Sequence, residues 1–375
     1  LLLTMIGRLR SAQGRRWAWL LVAVVVDLLH SVLVEKRREA AVARHHWQRS
    51  RNACEPLYGR IGIFIYADQL ERYEGTIACW KCYADSHGYE QFVVKPFAED
   101  QRCQRRCGHI VSVFFRRHCV AAVYLDRVDW LLFVDADSFP VNFHRCVEEF
   151  VDPDYQIIHY ERFFSGEVAA GSYLVRNTDQ SRDYLLDWAE QSFVLNQIHI
   201  HNMDNGVLQL HVLRAVGVAH DRLAVCWDKF RNASSLVGYF AFVGCTKKSL
   251  REHRPTAATT AGHSRRSVKV LAPLGGWLRD VWLTGGRWTD RDFVLHDLKR
   301  QNAFLKRFVS EPSCPSSVDT SGWLWSLGPT KLGYKVSVET ASRLFSKAER
   351  RSARYHPDVF FPDSSSSSTV VSHYG

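Results

Sequence analysis

No stretch of the chain repeats another, which excludes solenoids and propellers made of stacked copies. Zinc-finger, homeodomain and RNA-binding aromatic signatures are missing as well, and the basic residues are scattered, so nucleic acid is not an expected partner. Acidic residues are in the minority, 39 against 49 Lys and Arg, and the formal charge of +10 suits an anionic ligand such as a nucleotide diphosphate, or an anionic membrane surface. Long apolar runs are scarce. Residues 17–34 form the one candidate membrane segment and, at about eighteen residues, reach the lower limit for spanning a bilayer. Asp27 near its centre would cost about 2.5–3.5 kcal/mol on insertion scales, which the surrounding Val and Leu can offset. No clear small-x-small site follows, which favours an uncleaved signal anchor over a cleaved signal. Arg8, Arg10, Arg15 and Arg16 precede the segment while Lys36, Arg37 and Arg38 follow it, so the positive-inside rule does not decide its orientation. An ordinary buried helix is the alternative.

What is present points to one large α/β domain with terminal appendages, or two modest domains, because 375 residues that are 46% hydrophobic can bury a sizeable core. Residues 1–16 read as a tail, 35–59 as a charged stem, 60–310 as the globular domain, and 311–375 as an extension with a short basic helix and a disordered serine-rich end at 364–368. The ten cysteines are many for a reducing compartment, and their even number permits complete pairing. Asn232-Ala233-Ser234 is an N-glycosylation acceptor triplet. With the anchor, these features favour the secretory lumen. Two sharper cysteine readings are weighed against disulfides. Cys79-Trp80-Lys81-Cys82 has thioredoxin-type spacing but falls inside a predicted helix, and Cys79, Cys82, Cys103 and Cys107 have a spacing close to that of a four-thiolate zinc site.

Residues 61–66 alternate as a strand, 72–86 follow as a helix stopped by Gly88, and 91–95 make a second strand before Pro96. Strand, helix, strand opens a right-handed parallel crossover. A helix at 111–125 leads to Trp130-Leu131-Leu132-Phe133-Val134, five consecutive apolar residues that read as a buried strand of a parallel sheet. Further strands are expected at 155–160 and after Ala169-Ala170-Gly171, where Gly171 allows backbone to approach a ligand closely. In the helix at 181–193, Tyr184, Leu185, Trp188 and Ala189 fall at core spacing. Residues 245–266 read as a basic loop rich in Thr and Ala.

Asp135-Ala136-Asp137 comes where the third strand runs out, and open α/β sheets gather ligands at the carboxyl ends of their strands. Carboxylates at i and i+2 of an extended segment point to one side, so Asp135 and Asp137 can share a hard cation, Mn²⁺ or Mg²⁺, that leaves positions for phosphate oxygens. Two other readings stand beside this one: a solvated turn, and the nucleophile strand of a haloacid-dehalogenase-like phosphatase. Phe139 departs from the latter pattern, and no later strand ends in paired acidic residues.

A resemblance joins these parts. Ala170-Gly171-Ser172-Tyr173-Leu174-Val175-Arg176-Asn177-Thr178-Asp179-Gln180-Ser181, with Tyr184-Leu185-Leu186-Asp187-Trp188-Ala189 after it, resembles the block that follows the Asp-x-Asp in retaining α-galactosyl and xylosyl transferases. The span 59–305 also resembles a nematode-expanded family of glycosyltransferase-like proteins carried as a domain of unknown function. Tyr66-Ala67-Asp68, His87-Gly88-Tyr89, Arg117-His118-Cys119 and Trp282-Leu283-Thr284 stand in the expected order. The resemblance implies an α/β GT-A-like fold with a mostly parallel central sheet flanked by helices, and type II topology in a Golgi or other secretory-pathway membrane. It also implies a UDP- or GDP-linked sugar donor, Mn²⁺ or Mg²⁺ as cofactor, and a glycan or glycoconjugate acceptor. Asp135, Asp137 and His296 match its metal ligands, and Tyr66, Asp68 and Gly171 fall among its donor contacts. Asp204-Asn205 matches an acidic residue and Gln that face donor sugar and acceptor, with Asn205 departing from that Gln.

The chemistry of the residues agrees with these roles. A metal on the leaving diphosphate acts as a Lewis acid, and a carboxylate on the far side, for which Asp204 is the candidate, can stabilise oxocarbenium character. Asp204 as a helix N-cap and His296 as a metal-free histidine are the plain alternatives. Trp277, Trp282 and Trp288 can stack on sugars or fill the core. A sugar-binding homologue without activity and a secreted structural protein remain as rival functions.

Overall fold

The computed structural model describes residues 54–197, 203–253, 266–297 and 335–355, all within the compact unit Ala53–Gly375. The expected anchor at 17–34, the tail before it, most of the stem, Cys314 and the serine run lie outside the described residues. No helix among the described residues is long and apolar enough to cross a membrane.

The chain opens with β1 (Ile61–Tyr66), every residue of it buried. Helix α1 (Glu74–His87) stops at Gly88, whose φ of 74° is left-handed and free of side-chain strain, and the chain returns as β2 (Glu90–Val94), parallel to β1. Helix α2 (Gln101–Cys107) is capped by the Asp100 carboxylate, which accepts from the Cys103 N–H. Helix α3 (Val113–Tyr124) then delivers the chain to β3 (Trp130–Val134), parallel to β1 on its other side. After β4 (Phe139–Pro140) come β5 (Tyr155–Tyr160) and β6 (Ser172–Arg176), then α4 (Asp179–Glu190), α5 (Met203–Val216), α6 (His220–Arg231) and α7 (Leu236–Glu252). Strands β7 (Arg266–Leu271), β8 (Leu278–Asp280) and β9 (Val294–His296) follow, and α8 (Val338–Tyr355) is the last described element.

The main sheet has the order β2-β1-β3-β6-β5-β7. Strand β6 is antiparallel to both neighbours and every other pairing is parallel, so the sheet is α/β and mostly parallel, as expected. Alternate residues of β3 serve opposite faces. Leu131 and Phe133 join the core under α3, α4 and α5, whereas Trp130, Leu132 and Val134 join the one under α1. A strand covered on both faces has no polar side, which is why it reads as an unbroken apolar run. A second sheet, β4-β9-β8, lies beyond the end of β3; β4 pairs antiparallel with β9, and β8 parallel with β9.

Residues 245–252 are not loop but the end of α7, which Ser235 starts by accepting from the Gly238 N–H and which buries Tyr239, Phe242, Val243 and Thr246. The short basic helix expected in the extension is α8, and its Ala341 and Phe345 pack with Phe163 and Leu283. Complete cysteine pairing also fails. Cys54–Cys146, Cys107–Cys119 and Cys226–Cys245 are disulfides and Cys82 is disulfide-bonded too, while Cys79 and Cys103 are buried free thiols. Cys79 and Cys82 lie inside α1 and are not joined to each other, which removes the redox pair, and the bonded states of Cys82 and Cys107 remove the four-thiolate zinc site.

One buried acid is left badly placed for neutral pH. Glu148 accepts from the Tyr89 hydroxyl at 2.5 Å, but its other oxygen is buried without a partner, and burial pushes its carboxyl up from 4.5 to about 7. Between those values the folded chain keeps a proton that the unfolded chain has lost, so stability falls as pH rises through this window, by about 3 kcal/mol in full. Glu148→Gln is expected to remove that slope. Urea unfolding should find the variant up to about 3 kcal/mol more stable at pH 8 and indistinguishable at pH 4, and parallel pH profiles would refute the assignment.

Candidate functional site

The Asp-x-Asp segment is shaped by what pins it. The Asp135 N–H donates to the Gly171 carbonyl at 2.8 Å, extending the β3–β6 ladder by one step. The chain then turns at Ala136 and Asp137. Ser138 closes the turn with its N–H and hydroxyl both on the Asp135 carbonyl, at 3.1 and 2.6 Å. From α1, Thr76 holds the Ala136 carbonyl and the Trp80 indole N–H holds that of Ser138 at 2.9 Å. The two carboxylates therefore converge through a pinned turn, not through the side-alternation of an extended strand.

His296 reaches them because of the small sheet. Strand β9 lies against β4, which directly follows the turn, and its register sets His296 opposite Asp280 of β8. The His296 Nε2 lies 3.4 Å from Asp137 Oδ1 and 3.6 Å from Asp135 Oδ2, and ligand atoms of the three residues all fall within 4.8 Å of one another. Its Nδ1 is 2.9 Å from Asp280, and Asp280 is also held by Arg162 Nη2, 3.0 Å from each carboxylate oxygen. Burial opposes a charge on His296, but Asp137, Asp135 and Asp280 together raise its proton affinity well above the ordinary 6.5. Two carboxylates and an imidazole are a donor set suited to Mn²⁺, and the field that attracts a proton also attracts a divalent cation. A second grouping, Cys54, Cys146 and Glu148, is not a metal candidate because its two sulfurs form a disulfide.

Arg117 of α3 ties this cluster to Asp204 of α5. Its Nη1 meets Asp135 Oδ1 at 2.5 Å, and its Nη2 and Nε meet Asp204 Oδ2 at 2.5 and 2.9 Å. Burial works against the guanidinium charge, and the two carboxylates more than compensate. His118 adds a third contact, Nε2 to Asp204 Oδ2 at 2.8 Å. Burial holds the His118 pKa at about 4, so the ring is neutral; Nε2–H donates to the carboxylate and Nδ1 accepts from the Tyr173 hydroxyl at 3.0 Å. Asp204 lies at the second position of α5 with its carboxylate committed to Arg117 and His118 instead of a cap.

A cleft of about 900 Å³ opens over this floor, and Tyr66, Asp68, Asp135, Asp137, Gly171, Asp204, Asn205 and His296 all line it. Their local settings differ. A Cβ at Gly171 would collide with the Asp135 carboxylate, so the glycine makes room for a side chain of the site itself. Tyr66 donates its hydroxyl at 2.5 Å to Glu99, which is paired with Arg116. Asp68 and Arg72 are exposed on the lining. Both ends of the Asn205 amide are occupied, Oδ1 accepting from the Ala170 N–H at 2.8 Å and Nδ2 donating to Glu167 at 2.7 Å. Of the three tryptophans, Trp277 and Trp288 are buried and Trp282 is 38% exposed.

Arg117, Arg162 and Asp280 have no role that the sequence alone points to. For Arg117 a signal existed: residues Phe115 to Ala122 are all buried in α3, and two adjacent arginines in such a run require partners. Asp280 and Arg162 carried none, since they lie 118 residues apart and meet only where the segment after β5 approaches the second sheet.

No curated protein matches the chain. Among solved structures, the crystal structure of a glycosyltransferase involved in the glycosylation of the major capsid of PBCV-1 is similar over 66% of this chain and 99% of its own, at 12% identity and a TM-score of 0.39. A likeness that loose transfers no site residue, and the chemistry rests on the side chains described above. Residues 80–310, more than half of the chain, match the family model described as "Protein of unknown function, DUF273", and the protein belongs to that family.

Proposed function

We propose that the protein is a metal-dependent glycosyltransferase with a GT-A-like fold, moving a hexose or pentose from a UDP- or GDP-linked donor to a glycan or glycoconjugate acceptor. The observation that carries this reading is the convergence of Asp135, Asp137 and His296 on the floor of a cleft at the carboxyl ends of parallel strands. These three residues would hold Mn²⁺ or Mg²⁺, which supplies Lewis-acid stabilisation of the departing diphosphate. Asp280 orients the His296 ring so that Nε2 faces the two aspartates, the usual service of a carboxylate behind a ligating histidine.

Asp204 also lines the cleft, one guanidinium away from Asp135, with its Oδ2 bound by Arg117 and His118. A carboxylate whose charge is shared with a guanidinium is a poor nucleophile, so its role is electrostatic, stabilising oxocarbenium character. Asn205 acts differently from the Gln of the resembling enzymes: its filled amide holds residues 167–171 in place, and through Gly171 the seat of Asp135. Retention of configuration is part of the proposal through the resemblance alone. The disulfides and the exposed Asn232 support a place in the oxidising secretory lumen. Binding of a sugar nucleotide without turnover is the second reading, favoured by the commitment of both Asp204 and Asn205 to other protein groups.

Turnover decides between the two. Across a panel of nucleotide sugars, at least one donor should be hydrolysed slowly without acceptor, and chelation or Asp137→Asn should cut the rate at least about 100-fold. Metal-dependent binding of a donor with no hydrolysis, and no transfer to any acceptor in a glycan panel, would select the second reading. Asp280→Asn is expected to weaken Mn²⁺ binding, read from the free-ion EPR signal, by about 10- to 100-fold. Unchanged affinity would show that Asp280 does not orient His296.

A further inference from the structure

We propose that the groove between α8 and the turn after β8 is a binding subsite for a saccharide that carries negative charge. The groove holds about 200 Å³ and is lined by Trp282, Phe164, Leu344, Arg287, Lys347 and Arg351 among others. Trp282 is the member of its tryptophan trio that offers a face, 38% exposed where Trp277 and Trp288 are 2% and 4%. The Phe164 ring meets the indole edge-on at 5.1 Å and 76°, which keeps the platform from collapsing into the groove. A rigid exposed indole suits the C–H face of a sugar ring and costs little side-chain entropy on binding.

The far wall is firmly built. Ala341 and Phe345 of α8 pack against Phe163 and Leu283, and the Arg279 guanidinium stands 5.3 Å over the Phe345 ring. That anchoring turns Lys347 and Arg351 toward the groove, with Arg287 on the turn. All three are exposed, and no hydrogen bond or ion pair holds their head groups among the described residues. Three cations around one small groove, none of them paired among the described residues, favour a ligand bearing carboxylate or sulfate, and select against an uncharged one.

The groove also adjoins the cleft. Phe163 lines the cleft and Phe164 the groove; Asp280 lines the cleft and Trp282 the groove. A chain seated on Trp282 therefore extends toward the site of transfer. Calling the groove an acceptor subsite rests on the transferase reading, whereas saccharide binding there does not.

Calorimetry on the full chain, with a heparin-derived tetrasaccharide and uncharged maltotetraose as probes, tests the proposal. The charged probe should bind and the uncharged one should bind at least about tenfold more weakly; Trp282→Ala and the pair Lys347→Glu/Arg351→Glu should each cost at least about tenfold, close to 1.4 kcal/mol. Trp282→Phe, which keeps an aromatic face, should retain most of the affinity. Exposed cations outside the groove serve as the control, and Arg105→Glu/Arg106→Glu should leave binding within about twofold. Equal losses from the groove and control pairs, or no loss from Trp282→Ala, would overturn the subsite. So would phosphatidylserine vesicles that bind with the same dependence on Trp282, since the groove would then be a membrane contact. Asp137→Asn should bind the tetrasaccharide as the parent does, so failure to turn over any donor leaves this test intact.

Discussion

The contact on which the site depends is that of one imidazole with three carboxylates. His296 stands 2.9 Å from Asp280, 3.4 Å from Asp137 and 3.6 Å from Asp135. Carboxylates that close repel unless positive charge lies among them, and the fold supplies it from several sides: His296 at the centre, Arg117 on Asp135, and Arg162 on Asp280. Each of these cations comes from a different element, so the arrangement exists only when α3, the segment after β5, and β9 are all in place. A site assembled this way is rigid before any ligand arrives, which is what electrostatic preorganisation requires.

The same dependence explains what could and could not be read from the residues. Strand β3 was legible because a doubly covered strand must be apolar throughout, and β1 and β5 were legible to the residue. Asp135 and Asp137 stood out because they end such a strand. Their convergence was expected for a reason that does not hold, since a hydrogen-bonded turn, not an extended segment, brings them together. His296 was located by resemblance alone. Nothing local marks it, because its position is set by the pairing of Phe139 and Pro140 in β4 with Leu295 and Val294 in β9, a register between two very short strands remote in sequence. Asp280 and Arg162 were illegible because they too are remote in sequence, 118 residues apart.

Resemblance has a limit at Asn205. It stands where the resembling transferases carry a Gln facing donor sugar and acceptor, and it lines the cleft while its amide bonds Ala170 and Glu167. The cysteines teach a similar lesson. Spacing made a redox pair and a zinc site conceivable, but Cys107 is joined to Cys119, Cys82 is disulfide-bonded, and Cys79 and Cys103 stay free in the core. Local spacing constrains chemistry only where the fold keeps the neighbours together.

The central claim is that Asp135, Asp137 and His296 form a metal site that receives a diphosphate. Electron-nuclear double resonance on the protein loaded with Mn²⁺ and UDP or GDP examines it most directly. A ³¹P coupling from the diphosphate is expected, with a ¹⁴N coupling that disappears in His296→Gln. Mn²⁺ bound without either coupling, or with a ¹⁴N signal untouched by His296→Gln, would contradict it.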